Sequence, residues 1–223
     1  DERQLQTNYA CCAAQMFLDS GDGMVFKGGI GPWYNKETHE YHLTKDAARD
    51  LLIKAINSFR ESNGKVPKEI FIHGRNYFKS DEWEGFVDAV KDLDVKLVGV
   101  VIKNEKVFRL YRQYNFPVLR GSCLVINNNS AYLWAKGFVP RLQQPFGTET
   151  PNPLSIKIVK GKGEVPIKIV CADILALTKL NYNSCKFCDG MPVTLKFANL
   201  IGDVLTTGPT DDIKIALPFR YYI

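Results

Sequence analysis

Glu69-Ile70-Phe71-Ile72-His73-Gly74, then Ser80-Asp81-Glu82-Trp83-Glu84-Gly85-Phe86-Val87-Asp88-Ala89-Val90, then Lys96-Leu97-Val98-Gly99-Val100-Val101-Ile102, reads as strand, helix, strand. The two apolar runs are short and continuous, the pattern of strands buried on both faces. Between them, Ser80 is a good helix N-cap, and Asp81 and Glu82 suit the positive end of a helix dipole. Trp83, Phe86, Val87 and Val90 then recur at helical spacing. A helix joining two such strands predicts an α/β sheet covered on both faces.

Upstream, Ala13 to Asp19 reads as a strand, Ser20-Gly21-Asp22-Gly23 as a turn and Met24 to Lys27 as the returning strand. Gly28-Gly29-Ile30-Gly31-Pro32-Trp33 breaks that pattern, and Glu40 to Leu43 suggests another short strand. Thr44 caps a helix with Asp46 in its first turn. Ala48, Leu51, Leu52, Ala55, Ile56 and Phe59 form its apolar stripe, and Asn63-Gly64 ends it. Downstream the chain turns β-rich, with one hairpin expected around Asn127 to Ser130. A second is expected with Ser155 to Lys160 and Val165 to Val170 as its arms. An apolar run, Leu175-Ala176-Leu177, leads into a Thr178-Lys179-Leu180-Asn181 turn, and Pro192 starts a further helix. A short strand over Ile213 to Leu217 and an apolar end, Tyr221-Tyr222-Ile223, complete the chain. No repeat, low-complexity segment or linker interrupts it, so residues 1–223 read as one domain or most of one.

The 223 residues are 45% hydrophobic and 24% charged, the composition of a soluble globular protein of the cytoplasm. No apolar run approaches the ~20 residues that span a membrane. The N-terminus has no apolar core of a signal peptide, and the abrupt start without Met suggests a piece of a longer protein. A net charge of +5 permits a polyanionic partner without demanding one. Six cysteines are too sparse for a disulfide scaffold and read as reduced, mostly buried thiols. Cys185-Lys186-Phe187-Cys188 is half of a zinc motif with no second half nearby.

Four blocks together resemble the PIWI domain of Argonaute proteins: Glu69 to Arg75, Leu97 to Lys103, Thr178-Lys179-Leu180-Asn181 and Pro192-Val193-Thr194-Leu195-Lys196. The resemblance extends from about Ala13 to the C-terminus. Ala13 to Gly23, and Ile72 to Arg75 through Asp81 to Phe86, look like the short prokaryotic Argonautes, which consist of a MID and a PIWI domain. The resemblance implies an RNase H-like α/β fold, a mixed central sheet flanked by helices. The MID domain and the first PIWI strand are then missing from this chain.

Active PIWI domains hold two divalent metals on clustered carboxylates, often with a final Asp or His. One acidic position should follow the strand at Ile70 to Ile72, where this chain has His73-Gly74. The last ligand should fall on the helix after Pro192, where it has Asn199, a neutral and poor ligand for a hard cation. The resemblance therefore implies a degenerate site and a chain that is not itself an enzyme. His73 admits two readings, a ligand for a softer metal or a packed, hydrogen-bonded residue. Asp19, Asp22, Asp81, Glu82 and Glu84 keep open the alternative of an active, metal-dependent RNase H-like nuclease, although turn and helix-start chemistry accounts for the first four.

By resemblance, Lys179, Asn181, Lys196 and Asn199 face a guide strand, with Arg75 and Lys103 as further nucleic-acid contacts. Lys196 and Asn199 are three apart on one helix and share a face. Any one lysine reads equally as a solvated surface charge; the matching block raises the group above that. The Ile223 carboxylate would help to hold Mg2+ at the guide 5′ phosphate, shared with the MID domain. A terminal strand packed in the core explains the same apolar side chains. The implied partners are a guide RNA, a complementary single-stranded DNA target and an APAZ-domain effector. That effector is a TIR or sirtuin-like NADase or a nuclease, switched on by target pairing in prokaryotic immunity and antiviral defence. A higher-order oligomer on activation is compatible with this. A protein-interaction scaffold on a relict fold is the third reading.

Overall fold

The computed structural model describes residues 10–17, 23–31, 34–35, 40–114, 116–142, 150–161, 164–180, 188, 190–198 and 217–218. In chain order the elements are β1 (Ala10–Phe17), β2 (Gly23–Gly31), β3 (Tyr34–Asn35), β4 (Glu40–Tyr41), α1 (Lys45–Asn63), β5 (Glu69–Gly74) and α2 (Ser80–Ala89). They continue as β6 (Lys96–Asn104), β7 (Cys123–Asn127), β8 (Ser130–Leu133), β9 (Leu154–Gly161), α3 (Ile167–Leu177) and β10 (Leu217–Pro218). A helical segment over 193–198 lies between α3 and β10. Residues 1–71, 76–97 and 197–223 make one compact unit, and residues 72–75 with 98–196 make the other.

In the first unit, β1 and β2 pair antiparallel and β10 adds to the other side of β2. The glycine-rich stretch expected to break β2 is part of it. Gly31 pairs with Ala10 and Ile30 with Cys11, and a register shift between Cys11 and Ala13 absorbs the irregularity. Backbone pairing carries the strand where the glycines bring no side-chain packing.

Helix α1 is as its sequence predicts. Thr44 Oγ1 accepts from the Ala47 amide at 3.3 Å. Gly64, at φ 68°, closes the other end by donating to the Arg60 carbonyl at 2.8 Å. Helix α2 lies against α1 at Gly85, where a Cβ would run into the Lys45 carbonyl and stand 3.0 Å from the Ala48 side chain. Ser80 is not the cap of α2. Lys79 takes that place with no side-chain hydrogen bond, and Ser80 is the first helical residue. Glu82 is buried, accepts from the Leu43 amide at 3.5 Å and faces His42 Nδ1 at 3.4 Å. The phase that buries Glu82, Gly85 and Phe86 leaves Val87 exposed, against expectation.

The larger sheet runs β5-β6-β9-β8-β7. The Lys96 amide donates to the Lys68 carbonyl at 2.8 Å, which sets the starts of β5 and β6 side by side. With α2 as the crossover, these two strands are parallel. The pairings β6–β9, β9–β8 and β8–β7 are antiparallel, so the sheet is mixed. Both faces of β6 are buried from Leu97 to Ile102, whereas β5, at the sheet edge, is only half-buried. At the other edge β7 is exposed throughout, Cys123 included.

Residues 165–170 correct the expected second hairpin: they enter α3, not a strand. Pro166 occupies the N-cap, and Ile167, Val170, Cys171 and Ile174 bury one helical stripe. The β-branched residues tolerate the helix because burial of that stripe outweighs their local preference. Among the described residues no helix is long and apolar enough to cross a membrane.

Gly85→Ala should destabilise the protein by about 1–3 kcal/mol through overpacking against α1. Val87→Ala, on the exposed side of the same helix, should change stability by less than about 0.5 kcal/mol. Urea denaturation of the two variants checks this contrast.

Candidate nucleic-acid interface

Because β5 and β6 are parallel, their carboxyl ends open at the same end of the sheet, the place where open α/β sheets receive ligands. His73-Gly74 forms the end of β5, with Arg75 next to it, and Lys103-Asn104 forms that of β6. Arg75 and Lys103 are exposed. His73 Nδ1 and Thr194 Oγ1 share a hydrogen bond at 3.0 Å, its direction set by the ring tautomer. That bond joins the segment over 193–198 to the end of β5. There Val193 and Leu195 are buried while Thr194 and Lys196 stay half-buried. Arg75 thus lies just past the end of β5 and Lys103 near the end of β6, while Lys196 follows Thr194 by two residues in the segment bonded to β5.

Burial lowers the His73 pKa to about 4. At neutral pH the ring is therefore uncharged and hydrogen-bonded to Thr194. Among the described residues no three of the His, Cys, Asp and Glu side chains lie close enough to hold a metal together.

Lys179 is positioned by a different device. Thr178, which closes α3, is 1% exposed, and its Oγ1 donates to the Leu175 carbonyl at 2.7 Å. Arg120 Nη2 donates to the same carbonyl at 3.1 Å and to Thr178 Oγ1 at 2.6 Å. The last carbonyls of a helix have no partner within it, and the guanidinium also meets the negative end of the dipole. The Lys179 amide completes the turn by donating to Ala176 at 2.9 Å, and its side chain emerges exposed. Arg120, Thr178 and Thr194 are the positioning residues that sequence reasoning missed. The one available signal was a lone basic residue in the apolar run Pro117-Val118-Leu119-Arg120.

Asn181, Asn199 and Ile223 lie outside the described residues, as do Asp19, Asp22 and Cys185. Cys188 Sγ lies 3.9 Å from the Ala135 carbonyl oxygen.

No family model matches the chain, and no curated protein matches it. Among solved structures it is similar to the Argonaute of A. aeolicus, with a TM-score of 0.60 and 16% identity over 96% of this chain and 30% of that one. It is also similar to Aa-Ago with externally bound siRNA, with a TM-score of 0.57 and 17% identity over 94% of this chain and 28% of that one. The chain has an Argonaute-like fold and spans less than a third of the length of these structures.

The His73 shift carries a sign. Above pH ~6.5 the ring is neutral whether the chain is folded or not. As pH falls from there towards about 4, only the unfolded state takes up the proton, so stability should drop by up to about 1.4 kcal/mol per pH unit and level off below. Urea titrations across this range should show that component in the parent and not in His73→Gln. Arg120→Met should cost about 1.5–3 kcal/mol by stripping charge-assisted bonds from the end of α3, read from the same titrations at pH 7.

Proposed function

We propose that this chain is the guide-strand-binding PIWI module of a short prokaryotic Argonaute. It holds the backbone of a small RNA guide and presents it to a complementary DNA target without cutting that target. Pairing reads the sequence, and the protein reads backbone charge and shape.

The observation that carries this reading is the segregation of charge along the fold. Residues 72–75 and 98–196 contain 15 Lys and Arg against 5 Asp and Glu, a net +10. The remaining residues contain 14 against 19, a net −5, and the two together make the chain's +5. A modest overall charge therefore conceals a strongly basic unit, and that unit contains Arg75, Lys103, Lys179 and Lys196. Such a field suits a polyanion. The Argonaute-like fold supports the same class of ligand, since one of the similar structures carries externally bound siRNA.

The non-slicing part of the reading rests on His73-Gly74 and Asn199, which stand where the resemblance calls for an acidic ligand and for the final metal ligand. A neutral ring and a neutral amide are poor ligands for a hard cation. The effector, an APAZ-domain protein that consumes NAD or cuts nucleic acid, rests on the resemblance to short Argonautes.

Binding of a 5′-phosphorylated guide RNA to the full-length protein, followed by fluorescence anisotropy over a salt series, tests the interface. The log–log slope should be about −0.7 per phosphate contacted, and Lys179→Ala and Lys196→Ala should each flatten it by roughly that amount. Unchanged slopes in both variants would sink the assignment. Adding complementary labelled DNA, Mg2+ and the operon partner should leave the target intact while NAD is consumed. A cut whose position follows the guide would identify a nuclease instead.

A further inference from the structure

The segment between β6 and β7 exposes aromatic rings that an ordinary surface loop would bury or replace with polar residues. Tyr111 is 76%, Tyr114 88% and Phe116 60% exposed. Large apolar rings grouped in water mark an interaction site.

The loop is built, not merely long. At its start the Glu105 amide donates to the Pro153 carbonyl at 3.0 Å, and the Glu105 carboxylate accepts from the Val107 amide at 2.9 Å. Phe108 stacks on Tyr132 of β8, centroids 4.9 Å apart and planes 20° apart. Arg109 Nη1 donates to the Lys106 carbonyl at 2.7 Å, and Arg112 Nη1 to the Pro117 carbonyl at 3.1 Å. The Arg112 guanidinium also lies 5.5 Å from the centre of the Phe116 ring, and Tyr114 meets that ring edge-on at 6.5 Å. Tyr114 holds φ at 58°, a left-handed conformation that a bulky residue adopts only when its surroundings impose it. The strain places an aromatic side chain in solvent, away from any core.

Beyond Glu105, whose carboxylate is bound to the Val107 amide, the charge along this stretch has one sign. From Lys106 to Thr148 the sequence contains no Asp or Glu, while Lys106, Arg109, Arg112, Arg120, Lys136 and Arg141 are basic. Among the described residues no carboxylate pairs with Arg109 or Arg112. Exposed aromatic faces interleaved with arginines, with no acid from Lys106 onward, match the chemistry of unpaired nucleic acid. Every base has a face to stack, and every linkage a phosphate to neutralise. A duplex offers the phosphates but keeps its base faces stacked on one another.

We infer that the loop over 105–117 is a stacking platform for single-stranded nucleic acid. Tyr111, Tyr114 and Phe116 take unpaired bases, and Arg109 and Arg112 lie along the phosphates. The inference rests on the proposed polyanion-binding role of this unit and adds to it a surface that prefers unpaired strand.

The test measures binding of the full-length protein to a labelled single-stranded RNA and to the same strand in a blunt, fully paired duplex. Replacing both Tyr111 and Tyr114 by Ala should weaken single-strand binding roughly 10- to 100-fold, the scale of losing one or two stacked bases. Duplex affinity should stay within about twofold, and the salt slope should hold because no cation is lost. Tyr114→Phe keeps the ring and should bind like the parent, whereas Tyr114→Leu, apolar without a π face, should lose affinity as Ala does. Both side chains project into solvent, so these variants leave the core intact. Single-strand binding unchanged in the double Ala variant overturns the platform and leaves the surface to a protein partner. Equal losses for single strand and duplex overturn it as well. If the parent binds and the Lys179 and Lys196 variants flatten its slope, those failures touch the platform alone. A parent with no salt-dependent binding removes both readings.

Discussion

Burial of β6 on both faces is the constraint on which the larger sheet depends. Leu97, Val98, Val100, Val101 and Ile102 are all buried, so alternate side chains on either side of the strand require cover. A strand of this kind belongs inside a sheet, and β5 and β9 pair with its two edges. The crossover through α2 makes β5 its parallel neighbour. The carboxyl ends of both strands then open together, with Arg75 just past β5 and Lys103 near the end of β6.

Polar groups of this unit hold their neighbours in place. His73 is held neutral by burial and tied to Thr194. Arg120 uses its guanidinium to finish a helix, and the lysine that follows the helix is thereby presented to solvent. Charge is divided along the whole chain, in which an acidic unit and a basic unit sum to a small net charge that describes neither.

The elements legible in the sequence were those whose local and tertiary demands coincide. Helix α1 has its cap at Thr44, its stripe from Ala48 to Ile56 and its stop at Gly64, and each signal points the same way. The apolar run of β6 left no alternative to a central strand. Where local preference and burial disagreed, the reading failed. The Val165 to Val170 segment has the β-branched residues of a strand, yet Pro166 starts a helix whose buried stripe begins at Ile167. Gly28 to Gly31 has the composition of a break, yet its backbone completes a ladder. Of the candidate site, Arg75, Lys103, Lys179 and Lys196 could be named from the sequence. Arg120 and Thr194 could not, because each acts through a partner 58 and 121 residues away in the chain.

The sequence by itself determined the α/β class, the central strand, helices α1 and α2 and the residue types available for a polyanion, because periodicity, caps and composition are local properties. Only the tertiary structure decided which cations share an end of the sheet, that His73 is uncharged, and that the aromatic rings of the loop over 105–117 face water. Those are properties of distance and desolvation, and both depend on segments far apart in the chain being brought together.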